Sequence, residues 1–283
     1  MNARFFFRAV SIWALSLMLV TLSYAQNPAP QRQYSEVMYH KLKPGHTLQE
    51  ALAIEDEWKK IHQVQVDNGH LTGWYVITKA ITSNPNQTAY DYITIKNFSD
   101  FGVFGNGYPQ SHLEKVFGSS AKDKWEGLGK RTEAVKESVK MEIWEGVDAA
   151  WNEKQLPPDK SSIWVIDWMR VKDGKYAEYV ALEQDMKKLH QERIKMNIIT
   201  GWNLSALKYP AGSENGYDYA TVNYYGSTKE LGDGRYAEAF QKAMPGQDAK
   251  KLTDRIYQTR DLVRQEICVL RNFAVKQPSL AAK

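Results

Sequence analysis

Glu55, Lys59 and His62 are spaced so that on a helix they share one face. The same residue types recur at Glu183, Lys187 and His190. Imidazole titrates near neutrality and serves as a general base or a metal ligand, and a nearby carboxylate can orient it. The face borders an apolar stripe, Ile54, Trp58 and Ile61 in one copy and Leu182, Met186 and Leu189 in the other. Two readings follow. His62 and His190 are catalytic or ligating residues at the edge of a pocket, with Glu55 and Glu183 beside them. Or the face is a boundary of Glu–Lys pairs with a hydrogen-bonded His.

Further candidates lie close in sequence. Thr72-Gly73-Trp74 and Thr200-Gly201-Trp202 each open a strand just after the helix. Trp74 and Trp202 are either an aromatic pocket wall or core residues under the helix. Tyr39 with Lys41, and Trp168 with Arg170, lie two apart on strands and so point to one face. Such a pair can hold an aromatic acid or a haem propionate, or form a half-exposed edge. The segment from Phe98 to Gly118 alternates aromatics with glycines and reads as a lid over a pocket in the first half. No HExxH, GxSxG, Walker or EF-hand pattern is present, and no metal site is expected. The single Cys268 sits in an apolar strand-like stretch and reads as a small buried hydrophobe.

These residues are positioned by a repeat. Residues 55–74 and 183–202 share 8 of 20 identities at an offset of 128. Tyr90-Asp91-Tyr92 matches Tyr217-Asp218-Tyr219 at 127, and Tyr108/Tyr236 and Gly118/Gly246 return to 128. Periodicity places strands at 37–43 and 163–171, then helices at 47–67 and 175–196. Strand pairs follow at 72–80 with 89–97 and at 200–208 with 217–225. Helical regions at 109–136 and 235–262 break near Gly118 and Gly246, and strands at 138–146 and 265–273 close the halves. The order is β-α-β-β-α-β twice, an α+β fold of two ferredoxin-like units. A sheet with helices on one face leaves its other face to be covered by a second copy.

Two such units with facing sheets resemble the dimeric α+β barrel superfamily. It includes the antibiotic-biosynthesis-type monooxygenases, EthD-like and NIPSNAP-like proteins and chlorite dismutases. The resemblance rests on architecture and repeat over nearly all of the chain after residue 25. It implies a small-molecule pocket, either without a cofactor or with haem. In the haem case His62 or His190 would be the axial ligand.

Arg4 and Arg8, the apolar run Ala9 to Leu22 and Ser23-Tyr24-Ala25 form a secretory signal pattern over 1–25. Cleavage near Ala25–Gln26 would give a secreted or periplasmic protein without a stable membrane anchor. A leader is expected at 26–34, repeats at 35–147 and 163–276, a linker at 148–162 and a tail at 277–283. The net charge of +4 falls to +2 when the two Arg of the signal are removed. No basic run of nucleic-acid type appears. The expected function is an exported small-molecule binder or a monooxygenase-like enzyme with a pocket between helix and sheet. The ligand would be apolar or aromatic. A haem-binding protein and a structural protein without a pocket are the alternatives, and association into homo-oligomers is left open.

Overall fold

A computed structural model describes residues 32–83, 90–152, 154 and 159–276. The expected signal peptide, most of the leader and the tail lie outside the described residues. The first repeat contains β1 (Tyr34–Leu42), α1 (Leu48–Asp67), β2 (Gly73–Thr82), β3 (Tyr92–Phe98), α2 (Gln110–Phe117), α3 (Ala121–Val135) and β4 (Lys136–Trp151). The second contains β5 (Ile163–Val171), α4 (Tyr176–Lys195), β6 (Gly201–Tyr209), β7 (Tyr219–Tyr225), the short α5 (Thr228–Leu231), α6 (Tyr236–Ala243), α7 (Ala249–Thr259) and β8 (Arg260–Val275). Thr47 and Glu50 form a reciprocal cap that starts α1, with Thr47 N donating to Glu50 Oε2 at 2.7 Å. The helical regions break where expected, at Gly118 and Gly246, whose φ values of +64° and +76° suit glycine.

The strands close a barrel in the order β1-β3-β2-β8-β5-β7-β6-β4. Each half keeps the ferredoxin-like order, and the described strands pair antiparallel. The two sheets face each other, and they are also joined edge to edge. β4 pairs with β1 through its first part and with β6 through its last, ending at Trp151 opposite Gly201. β8 does the same with β5 and β2. Both joining strands are 16 residues long, well beyond the span the local pattern suggests. β4 therefore takes up 148–151, residues expected in the linker. Closure leaves no unpaired sheet edge among the described residues.

Alternation along the strands divides the core. One buried cluster draws on β1, β2, β3, β4, β5, β7 and β8 and on no helix, and it fills the barrel. Tyr39, Trp144, Trp164, Trp168 and Cys268 belong to it. Two others lie between helices and sheet, one per repeat. Burial pushes the Cys268 thiol far up, so it packs as a hydrophobe.

Candidate functional site

The duplicated His and Trp meet in the layer between helix and sheet. His62 stacks on Trp74 with centroids 4.8 Å apart, and His190 stacks on Trp202 at 5.3 Å. All four are buried. Burial, with Lys96 nearby, lowers the His62 pKa to about 3. Burial and Arg193 hold His190 well below its ordinary value. Both rings are neutral near pH 7. His62 Nδ1 lies 3.1 Å from Gln65 Oε1, and His190 Nδ1 lies 3.1 Å from Arg193 Nη1.

The two carboxylates on these helices differ. Glu55 is held by Lys136 and accepts the Tyr92 hydroxyl at 2.7 Å. Glu183 faces Arg260 at 3.5 Å and the Tyr179 hydroxyl, and burial raises its pKa to about 7. Tyr39 and Trp168 lie inside the barrel rather than against a helix. Lys41 is half-exposed and pairs with Asp91 at 3.6 Å, while Arg170 is partly exposed on β5.

The barrel interior holds a polar network absent from the expected site. Glu142 accepts from Tyr39 Oη at 2.6 Å, Tyr217 Oη at 2.7 Å and Trp144 Nε1 at 3.2 Å, and pairs with Lys140 at 2.5 Å. Its counterpart Glu266 accepts the Tyr90 hydroxyl and faces Arg264 at 3.4 Å. Tyr90 and Tyr217 are the repeated tyrosines, and each bonds to the glutamate of the other repeat.

A cleft of about 490 Å³ opens in the second repeat between α4, α6 and α7. Met186, Leu189, Tyr236, Phe240, Leu252 and Ile256 give it apolar walls. It lies between helices, not between helix and sheet as expected. Trp202, Leu204 and Tyr225 fill the sheet side. Nor does it lie in the first repeat. There Trp58, Trp125 and Tyr108 pack on one another at 5.1, 4.9 and 5.5 Å. At the offset of 128 these positions become Met186, Thr253 and Tyr236, all of which line the cleft. Replacing two indoles by a thioether and a hydroxyl removes the filling. Phe101, Phe104 and Tyr108, expected in a lid, instead pack against the first repeat's core.

No protein-family model matches the sequence, and no curated protein is significantly similar to it. Solved structures do match in shape. A candidate monooxygenase of Fusobacterium nucleatum subsp. nucleatum is 11% identical, with a TM-score of 0.51 over 87% of this chain and 94% of its own. At that identity the match shows a shared fold, the dimeric α+β barrel arrangement expected from the repeat. A candidate monooxygenase of Lactobacillus acidophilus aligns at 0.47 and 10% identity over 87% of this barrel and 96% of its own chain. A candidate chlorite dismutase aligns at 0.46 and 11% identity over 85% and 95%.

The residues of this barrel do not fit haem at either His. An axial ligand needs a porphyrin-sized slot beside its imidazole. His62 is flanked by Trp58 at 6.1 Å and Trp74 at 4.8 Å, with Tyr108 at 5.6 Å. His190 does not line the 490 Å³ cleft, whereas Leu189 and Tyr236 do. Among the described residues no group of three His, Cys, Asp or Glu side chains is arranged for a metal ion. Among them, too, no helix is long and apolar enough to cross a membrane.

The site residues that local pattern missed are Thr253, Phe240, Leu252 and Ile256. The available signal was the loss of bulk at Met186 and Thr253 relative to Trp58 and Trp125.

Proposed function

We propose that the protein is an exported binder of a small apolar or aromatic molecule, held in the cleft between α4, α6 and α7. The observation that carries this reading is the exchange of Trp58 and Trp125 for Met186 and Thr253. One repeat is packed shut and the other is open at the same position. The cleft volume of about 490 Å³ falls in the range of small-molecule sites, and its walls are mainly apolar. Binding is favoured over catalysis because the titratable side chains in its lining are Tyr236 and Asp248. Asp248 is occupied as the N-cap of α7, accepting from Lys250 N at 2.8 Å. His62, His190, Trp74 and Trp202 then act as buried stacked pairs that fix helix to sheet. Glu55 and Glu183, with Lys136 and Arg260, anchor the same helices to β4 and β8.

Titration with the neutral dye phenylnaphthylamine tests the reading. One saturable site per chain is expected. Absence of saturable binding would sink it. Export is tested by the intact mass of the protein from its host, which should start at Gln26. A mass that retains residues 1–25 would contradict it.

A further inference from the structure

We infer that the cleft takes a carboxylic acid, with its apolar body between α4, α6 and α7 and its carboxylate paired with Arg193. The inference rests on reading the cleft as a ligand site. Arg193 is fully buried. Its Nε donates to Gly234 O at 3.0 Å, Nη1 to Asn223 Oδ1 at 3.0 Å and Nη2 to Tyr225 Oη at 2.8 Å. Its other polar neighbour is the neutral His190 ring. Among the described residues no carboxylate pairs with it. A guanidinium taken out of water without a counter-charge is costly.

The first repeat shows what is missing. There the half-buried Lys96 is bonded at 2.8 Å to Glu36, which stands opposite it on β1, and the buried Lys136 is paired with Glu55. In the second repeat the corresponding strand pair is Val165 opposite Asn223. The acid has become valine, and the cation has moved to Arg193, at the position of Gln65. Asp167, the carboxylate next along β5 on that face, instead accepts from Gln265 Nε2 at 2.7 Å.

Arg193 does not itself line the cleft, but it packs on a residue that does. The guanidinium lies 3.9 Å from the ring centroid of Tyr236, which forms the cleft wall and is 45% exposed. Tyr236 begins α6 directly after Arg235, a non-glycine residue held at φ +43°. For a ligand to reach the guanidinium, the Tyr236 ring would have to turn outward. A carboxylate there gains charge-assisted hydrogen bonds and a counter-ion.

Decanoate and decanol, equal in chain length, are titrated against bound phenylnaphthylamine at neutral pH. Decanoate is expected to displace the dye at a concentration lower by about tenfold or more. Tyr236→Ala should widen that preference, and a folded Arg193→Met should abolish it. If decanol competes as well as decanoate while the dye still binds, the acid preference is wrong and the cleft reading stands. If the dye does not bind at all, both fail. If dye binding is lost as a dimer forms in sedimentation, the cleft is a self-association surface and the inference is overturned. The wild-type comparison needs no variant, so a misfolded Arg193→Met leaves the test intact.

Discussion

The indole of Trp125 meets that of Trp58 edge-on at 5.1 Å, and this contact closes in the first repeat what the second leaves open. Trp58 is further fixed by its Nε1, which donates to Thr132 Oγ1 at 3.0 Å. Trp125→Thr should therefore cost about 2–4 kcal/mol through the cavity it creates. It should also add a second dye site per chain. Unchanged stability and a single site would show that the two indoles are not the filling.

Tyr217 belongs to the second repeat and Glu142 to the first, so their 2.7 Å bond crosses the barrel. Tyr217→Phe leaves the ring and removes one donor to a fully buried carboxylate. A loss of about 1–2 kcal/mol is expected from denaturant unfolding, and Tyr39→Phe should cost a similar amount. Variants with wild-type midpoints would show that Glu142 does not depend on these hydroxyls.

The buried histidines set an acid limit. The folded pKa of His62 is about 3 against an ordinary 6.5, so the unfolded chain binds more protons between those values. Stability is unaffected by this group above pH 6.5 and is lost as pH falls toward 3. His190 acts in the same direction. His62→Gln should flatten the fall in stability by about 1.4 kcal/mol per pH unit within that window. Parallel profiles for variant and wild type would contradict a neutral buried His62.

Glu183 has the opposite sign. Its folded pKa of about 7 exceeds the ordinary 4.5, so the folded state binds the extra proton. Stability is lost as pH rises through that interval. Glu183→Gln should stabilise the protein by about 1–3 kcal/mol at alkaline pH and little at pH below the ordinary value. Glu55→Gln, which breaks the buried pair with Lys136, should instead destabilise it by about 3 kcal/mol. Equal losses from Glu183→Gln at both pH extremes would mean that the Arg260 pair dominates.

The repeated helix and strand entry were legible because residues 55–74 and 183–202 keep a constant offset. That spacing fixes the helix face and the strand entry at Trp74 and Trp202, and leaves open whether those indoles wall a pocket or pack under the helix. The closing strands were legible in place, at 138–146 and 265–273, but not in their full length or correspondence, because β4 and β8 correspond at 124 rather than 128. Lys140 and Glu142 thus answer to Arg264 and Glu266 out of the frame of the main repeat. The bonds of Tyr90 and Tyr217 to the opposite repeat depend on edge-to-edge closure, which no local pattern encodes. Trp58 and Met186 look like an apolar exchange in sequence. In space the exchange is a lost indole, and with Trp125 and Thr253 it makes a cavity. The deep burial of His62 and His190 was likewise open, since a helix face bordering an apolar stripe can end at solvent or under a second layer.

The most direct test restores the filling. Met186→Trp combined with Thr253→Trp places the first repeat's indoles in the second. Phenylnaphthylamine titration of this variant, folded by circular dichroism, should show at least about a tenfold loss of affinity relative to wild type. Undiminished binding of one dye per chain would place the ligand elsewhere and contradict the account.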